Sequence, residues 1–153
     1  MILCYIAVFL ICEVQMIDNN IDITLNAKNK DTCLLSTAFI NNSKACEAKV
    51  STDDTHSTWT ISSWYTVKEY QNAGLGKITL GKIIKYLCNK YGNPSKIEYI
   101  WNGTNEYVGD WLKRNFDAVC NCPIWIQKTQ SDDDWSSHIY ELNVGKVIKY
   151  FSA

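Results

Sequence analysis

The chain has 153 residues, 46% of them hydrophobic and 20% charged, with a formal net charge of −1. That length suits one domain with a sizeable core, and the composition excludes a disordered or collagen-like chain. The near-neutral balance, with no basic tail, argues against non-specific nucleic-acid binding.

Residues 1–15 stand apart from the rest. Residues 2–12 are almost continuously apolar, and Glu13 ends the run. The run is too short to span a bilayer comfortably. It lacks the leading Lys or Arg of a signal peptide, and no small-residue cleavage site follows. We read 1–15 as an apolar N-terminal extension, an upstream start or an added strand in preference to a signal or anchor, and 16–153 as a single domain. Seven cysteines, an odd number, sit mostly in apolar patterns and read as free thiols in a reducing compartment. Cys120-Asn121-Cys122 lacks the Cys-x-x-Cys spacing of zinc or redox sites, and His56 and His138 are far apart, so no metal site is expected.

In chain order, residues 21–27, 33–40 and 46–51 alternate as strands. Turn-like links at 28–31 and 41–44 join them, so an antiparallel meander is expected. No helical pattern of useful length occurs between Asp22 and Trp59. Residues 59–67 read as a fourth strand, rich in β-branched and aromatic side chains. Trp59, Ile61, Tyr65 and Val67 keep one parity, and Trp64 breaks it, as a bulge near Ser62 and Ser63 would.

Residues 70–92 join a Gly-rich turn to a helix. Leu80, Ile83, Ile84, Leu87, Cys88 and Tyr91 follow the i, i+3, i+4, i+7 spacing of one buried face. Gly92 is a C-terminal stop, and Pro94 prevents continuation. Residues 96–101 read as another strand. Strand, turn, helix and strand make a βαβ unit with a right-handed crossover. A further helix carries Tyr107, Val108, Trp111, Leu112 and Phe116 on its apolar face, with Thr104 as its cap. Residues 119–127 and 138–144 read as closing strands, with Pro123 marking an edge or bulge. The acidic loop at 131–134 is a solvated run, or an attractor for a cationic amine.

The turn at 71–76 ends where the helix begins. Helix N-terminal amides have no internal partner and carry partial positive charge, which suits a phosphate or pyrophosphate. The P-loop pattern fails, because Gln71 and Ile78 stand where Gly and Ser or Thr are needed. The dinucleotide pattern GxGxxG has Thr79 in place of its third glycine. The acyl-CoA turn Q/R-x-x-G-x-G/A fits at Gln71, Gly74 and Gly76. A helix start that uses glycine only to turn is the plain alternative.

With the strand before it and the helix after it, the block from Val67 to Leu80 resembles the GNAT superfamily of acyl-CoA-dependent N-acyltransferases. The resemblance covers roughly residues 59–116. It implies an α/β (α+β) fold: a mixed, mostly antiparallel sheet with a central parallel βαβ unit carrying the CoA site. The N-terminal acceptor helices usual in the family are reduced or missing here. It implies acetyl transfer from acetyl-CoA to a primary amine of a small molecule or protein; the alternative is a non-catalytic GNAT-fold CoA-binding or protein-interaction module. Acetyl-CoA and an amine acceptor are the implied partners, with no metal and no nucleic acid, a membrane disfavoured, and a homodimer compatible. By the resemblance, the strand end from Trp64 to Val67, with Tyr65, Thr66 and Val67 as the contacts, binds the pantetheine arm through its backbone. Gln71, Asn72, Ala73, Gly74, Leu75, Gly76 and Lys77 hold the pyrophosphate, and Asn105 joins the cofactor site. Glu98 falls near the family's catalytic Glu, with Glu69 and His56 as weaker bases. Trp111 falls where a general-acid Tyr is usual, and Tyr107, one turn away, is the substitute. Asn41 and Asn102 head glycosylation sequons that matter only in a secretory compartment; the resemblance favours the cytoplasm.

Overall fold

The computed structural model describes residues 21–101, 106–121 and 138–152. The apolar stretch at the N-terminus, Asn102, Thr104, Asn105, Pro123 and the acidic loop lie outside the described residues.

Four strands follow one another as a meander: β1 (Ile21–Lys28), β2 (Cys33–Ile40), β3 (Ser43–Thr52) and β4 (Thr58–Thr66). Helix α1 (Leu75–Tyr91) crosses to β5 (Lys96–Trp101), and helix α2 (Glu106–Phe116) leads to the short β6 (Val119–Cys120). Then β7 (His138–Leu142) runs into helix α3 (Val144–Ser152). The seven strands form one sheet in the order β1-β2-β3-β4-β5-β7-β6. Every described pair is antiparallel except β4 with β5, which is parallel. This is the mixed, mostly antiparallel sheet with a central βαβ unit that the sequence suggests.

Register explains where the core sits. Leu34, Val50, Ile61, Tyr99 and Tyr140 are direct neighbours across five strands. All five belong to one buried cluster with Leu80, Ile83, Ile84 and Leu87 of α1, Leu112 and Phe116 of α2, and Val147 and Phe151 of α3. The three helices therefore cover one face of the sheet. Full burial of each such aliphatic or aromatic side chain contributes about 1.5–3 kcal/mol, so this shared layer is the main source of cohesion. The opposite face carries Lys96 and Glu98 of β5 and Lys49 of β3, and no described helix packs on it.

Three differences from the sequence reading have physical reasons. The last strand ends at Leu142, and Val144 opens α3 instead. Asn143 caps that helix, its Oδ1 accepting from the Lys146 N–H at 3.0 Å. Tyr91, placed on the buried stripe of α1, is 37% exposed. It is drawn outward by Asp31, to which its hydroxyl donates at 2.5 Å. In β4, Ser62 is the extra residue, because Lys49 pairs Ser63 while Val50 pairs Ile61. That bulge reverses the alternation, so Trp64 and Thr66 share the helix-covered face and Tyr65 is 42% exposed.

Candidate active site

The parallel pairing of β4 and β5 runs from Thr58↔Lys96 to Ile61↔Tyr99 and stops there. Both strands continue, β4 to Thr66 and β5 to Trp101. The Ser62 bulge coincides with the separation and turns β4 away. A gap flanked by unpaired strand edges opens between them. The Val67 amide donates to Ala45 O of β3 at 2.8 Å. Strand alternation then directs the Thr66 backbone to the gap side, where its carbonyl accepts from Gln71 Nε2 at 3.1 Å.

The link from β4 to α1 is a short 3-10 turn (Lys68–Tyr70) followed by residues 71–74. Asn72 and Gly74 both have positive φ, 65° and 78°. Gly74 is the N-cap of α1 and supplies no side-chain hydrogen bond. The first intrahelical bond in the turn is Ile78 N–H to Gly74 O at 3.2 Å. The amides of Leu75, Gly76 and Lys77 thus have no intrahelical acceptor. A Cβ on Gly74 would meet nothing within 4 Å, so the approach to those amides is open.

Gly76 has a different reason. A Cβ there would lie 3.2 Å from Thr66 Oγ1 and 3.3 Å from Trp64 Nε1. The indole N–H of Trp64 donates to Gly76 O at 2.9 Å. Trp64 thereby ties β4 to the first turn of α1. Its ring meets Trp111 of α2 and Phe151 of α3 edge-on, each at 5.9 Å between centroids. The ammonium of Lys77 sits 4.5 Å from the ring centroid of Tyr150, a cation–π contact that holds positive charge at the helix start.

Asn72 and Ala73 are exposed, and Leu75 is buried under the turn. Glu98 lies on the helix-free face, one residue before the gap, where its carboxylate pairs with Lys96 Nζ at 2.7 Å. Glu69 is exposed on the 3-10 turn. His56 stands at the far end of the sheet, stacked on Tyr91 at 3.8 Å. Tyr107 belongs to α2, its side chain outside the described residues. Tyr99, the last paired residue before the gap, is buried, and burial pushes its phenol up to about 12. It is a neutral proton-bearing group at physiological pH. The structure thus brings the turn, the β4 end and Lys77 together, and sets Glu98 across the sheet from them. Trp101 and Tyr99 escaped the sequence reading as site-lining groups, and Trp64 entered it only through the backbone of its strand end. The parity break at Trp64 was the one signal of this environment.

The described residues hold no group of three His, Cys, Asp or Glu side chains placed for a metal ion. No described helix is long and apolar enough to cross a membrane. No protein-family model and no curated protein matches the sequence. Solved structures do match. The PaiA N-acetyltransferase of Thermoplasma acidophilum, in complex with coenzyme A, is 16% identical with a TM-score of 0.52. The match covers 73% of this chain and 61% of that one, so the chain spans about three-fifths of that protein's length. A GNAT-family protein of Desulfovibrio desulfuricans is 18% identical at a TM-score of 0.54, over 76% of this chain and 72% of that one. A Bacillus subtilis acetyltransferase in complex with CoA is 13% identical at a TM-score of 0.54, over 81% and 99%. The chain has the fold of the GNAT superfamily.

Proposed function

We propose that the protein is an N-acetyltransferase that moves an acetyl group from acetyl-CoA to a primary amine of a small molecule or protein. The observation that carries this reading is the gap between β4 and β5 opening beside the uncapped start of α1. A pyrophosphate suits the free amides of Leu75, Gly76 and Lys77, reached past Gly74, with Gln71, Asn72 and Ala73 shaping the turn. A pantetheine arm suits the unpaired edge of β4 at Tyr65, Thr66 and Val67, where main-chain groups can pair with its amides. The thioester then lies in the gap, and the amine approaches from the face that no described helix covers, where Glu98 stands. In that arrangement the amine nitrogen attacks the thioester carbonyl and the carbon–sulfur bond breaks. Glu98 takes the proton from nitrogen, and Tyr107 gives one to the departing thiolate. Asn105 supports the cofactor end. Positioning supplies most of the rate in such a transfer.

The same reading assigns residues 16–153 to one acyltransferase domain. Use of acetyl-CoA, together with the thiols Cys33, Cys46 and Cys88, which form no disulfide, supports a cytoplasmic location. One observation favours a second reading, a CoA-binding or interaction module without catalysis. The link from β1 to β2 is a tight turn, leaving no acceptor-wall helix between them.

Thermal unfolding with and without acetyl-CoA tests the donor site. A ligand at a hundredfold excess over Kd adds about 2.7 kcal/mol, raising the midpoint by roughly 5–10 °C. Gly74→Glu puts a negative charge at the open approach and should abolish that shift while the chain still folds. A shift that survives the substitution refutes the turn as the site. Release of free thiol from acetyl-CoA across a panel of amines separates the enzyme from the silent binder.

A further inference from the structure

Buried polar side-chain atoms in folded proteins nearly always have partners, and the exceptions call for an explanation. Two stand out among the described residues: Ser36 Oγ and Trp101 Nε1 are buried and lack a hydrogen-bond partner. Ser36 lies on β2, between Leu25 and Ala48 in the sheet interior, with two strand pairings separating it from the β4 edge and the gap. Trp101 is different. It is the last residue of β5, two positions beyond the final β4–β5 pair. It shares the parity of Ile97 and Tyr99 and packs on the same core cluster, so it belongs to the helix-covered face at the rim of the gap.

The contrast with the other indoles is informative. Trp59 donates its ring N–H to His56 O at 3.0 Å, and Trp64 donates to Gly76 O at 2.9 Å. Trp64 marks the β4 rim of the gap and Trp101 the β5 rim. Their rings pack on one shared core. One rim donor is engaged in holding α1, and the other is unengaged. An indole has a donor and no acceptor, so what completes it must present a lone pair. The acyl-pantetheine arm presents carbonyl oxygens at its amides and at its thioester.

We propose that Trp101 is a donor-binding residue: its indole N–H donates a hydrogen bond to a carbonyl oxygen of an acyl-pantetheine arm lying between β4 and β5. This rests on the acetyl-CoA reading above. It adds a contact from β5 to the contacts expected from β4 and α1.

The test is Trp101→Phe in the full chain, followed by thermal unfolding alone, with CoA and with acetyl-CoA. The unliganded midpoint reads two opposed changes, a stranded donor removed and ring packing lost, so the test is the ligand-induced shift measured from each variant's own unliganded midpoint. Binding should weaken about tenfold, some 1.4 kcal/mol, with a smaller ligand-induced shift. Equal weakening for both ligands assigns the bond to a pantetheine amide, and weakening for acetyl-CoA alone assigns it to the thioester. A wild-type shift retained in full by Trp101→Phe overturns this inference alone. No shift in the wild type overturns the acetyl-CoA reading and this one with it. If the Phe variant does not fold, the indole N–H resonance of Trp101 in the wild type carries the comparison: a shift on adding acetyl-CoA supports the bond, and an unmoved resonance with acetyl-CoA bound overturns it.

Discussion

The two ends of α1 are built on opposite principles. Its C-terminal end is saturated with partners. Asp31, 8% exposed, accepts from Lys90 Nζ at 2.7 Å, Tyr91 OH at 2.5 Å and Tyr86 OH at 3.0 Å. His56 stacks on Tyr91 within 4° of parallel and donates from Nε2 to Lys30 O, 3.0 Å away. Gly92, at φ 78°, closes the helix with a bond from its amide to Cys88 O. At the N-terminal end no side chain caps the helix and the space over Gly74 is open. One end clasps the β1–β2 turn to the helix. The other end keeps donors in reserve. A helix can therefore be anchored at its tail so that its head stays unsatisfied without fraying.

The largest expected effect breaks the anchored end. Asp31→Ala removes a carboxylate that serves three donors. We expect a loss of about 2–3 kcal/mol, taking hydrogen bonds to a charged group at their usual worth with Lys90 returned to solvent. The unfolding midpoint should drop by roughly 4–12 °C, while the acetyl-CoA shift persists. Acid titration sharpens the point. Lys90 first, then Tyr91 and Tyr86, hold the Asp31 carboxyl at about 2, against 3.8 for the ordinary group. A carboxyl lowered by folding stabilises fully above its unfolded value, and that contribution drains as pH falls through 4 toward 2. Asp31→Asn should flatten the loss of stability over that window. It should not remove it, since Asp53, also held at about 2 by the Thr58 amide and Ser57, titrates in the same range.

At the other end, Gly76→Ala forces a methyl against Thr66 Oγ1 and Trp64 Nε1. Both atoms have to give by a few tenths of an ångström to admit it. The acetyl-CoA shift should shrink with it, because the same displacement moves the first-turn amides. Tyr91→Phe is the mildest change. It deletes one donor to Asp31 and keeps the ring on His56, so a small drop in the midpoint and an unchanged ligand response are expected. Calorimetric or spectroscopic melting of both variants, with and without acetyl-CoA, reads all four quantities. A clasp variant that weakens ligand binding as much as Gly76→Ala does would erase the division between the two ends.

The open end was legible from the chain because it is local. Gln71, Gly74, Gly76 and the stripe from Leu80 to Leu87 lie within a few turns of one another, and backbone rules apply to them directly. The bounds of β2 and β5 were legible for the same reason, each being bracketed by turn residues. The anchored end was not. Asp31 reads as a turn residue, and its partners on α1 are remote in sequence, so only tertiary packing reveals that it is buried. Trp64 lay between: its broken parity announced the bulge, yet the bond to Gly76 needed the helix in place. The α3 signal was present in Asn143 and in the spacing of Val144, Val147, Ile148 and Phe151, but a strand pattern running into it masked the boundary. Trp101 gave no sign at all, because an unengaged indole looks like any other strand aromatic.

The strand order carries a consequence for how the molecule assembles. From β1 to β4 each strand pairs with the one just before it, so the meander can close by local hairpins as the chain is made. The other half cannot. β7 follows β6 in the chain yet lies between β5 and β6, so β6 has no place in the sheet until β7 has left the ribosome and docked. Nascent chains halted before His138 would carry a finished meander and a bare β5 edge, the kind of exposed template that recruits other chains. During synthesis β7 is the strand that closes the β5 edge, and until it arrives that edge stays open to other chains.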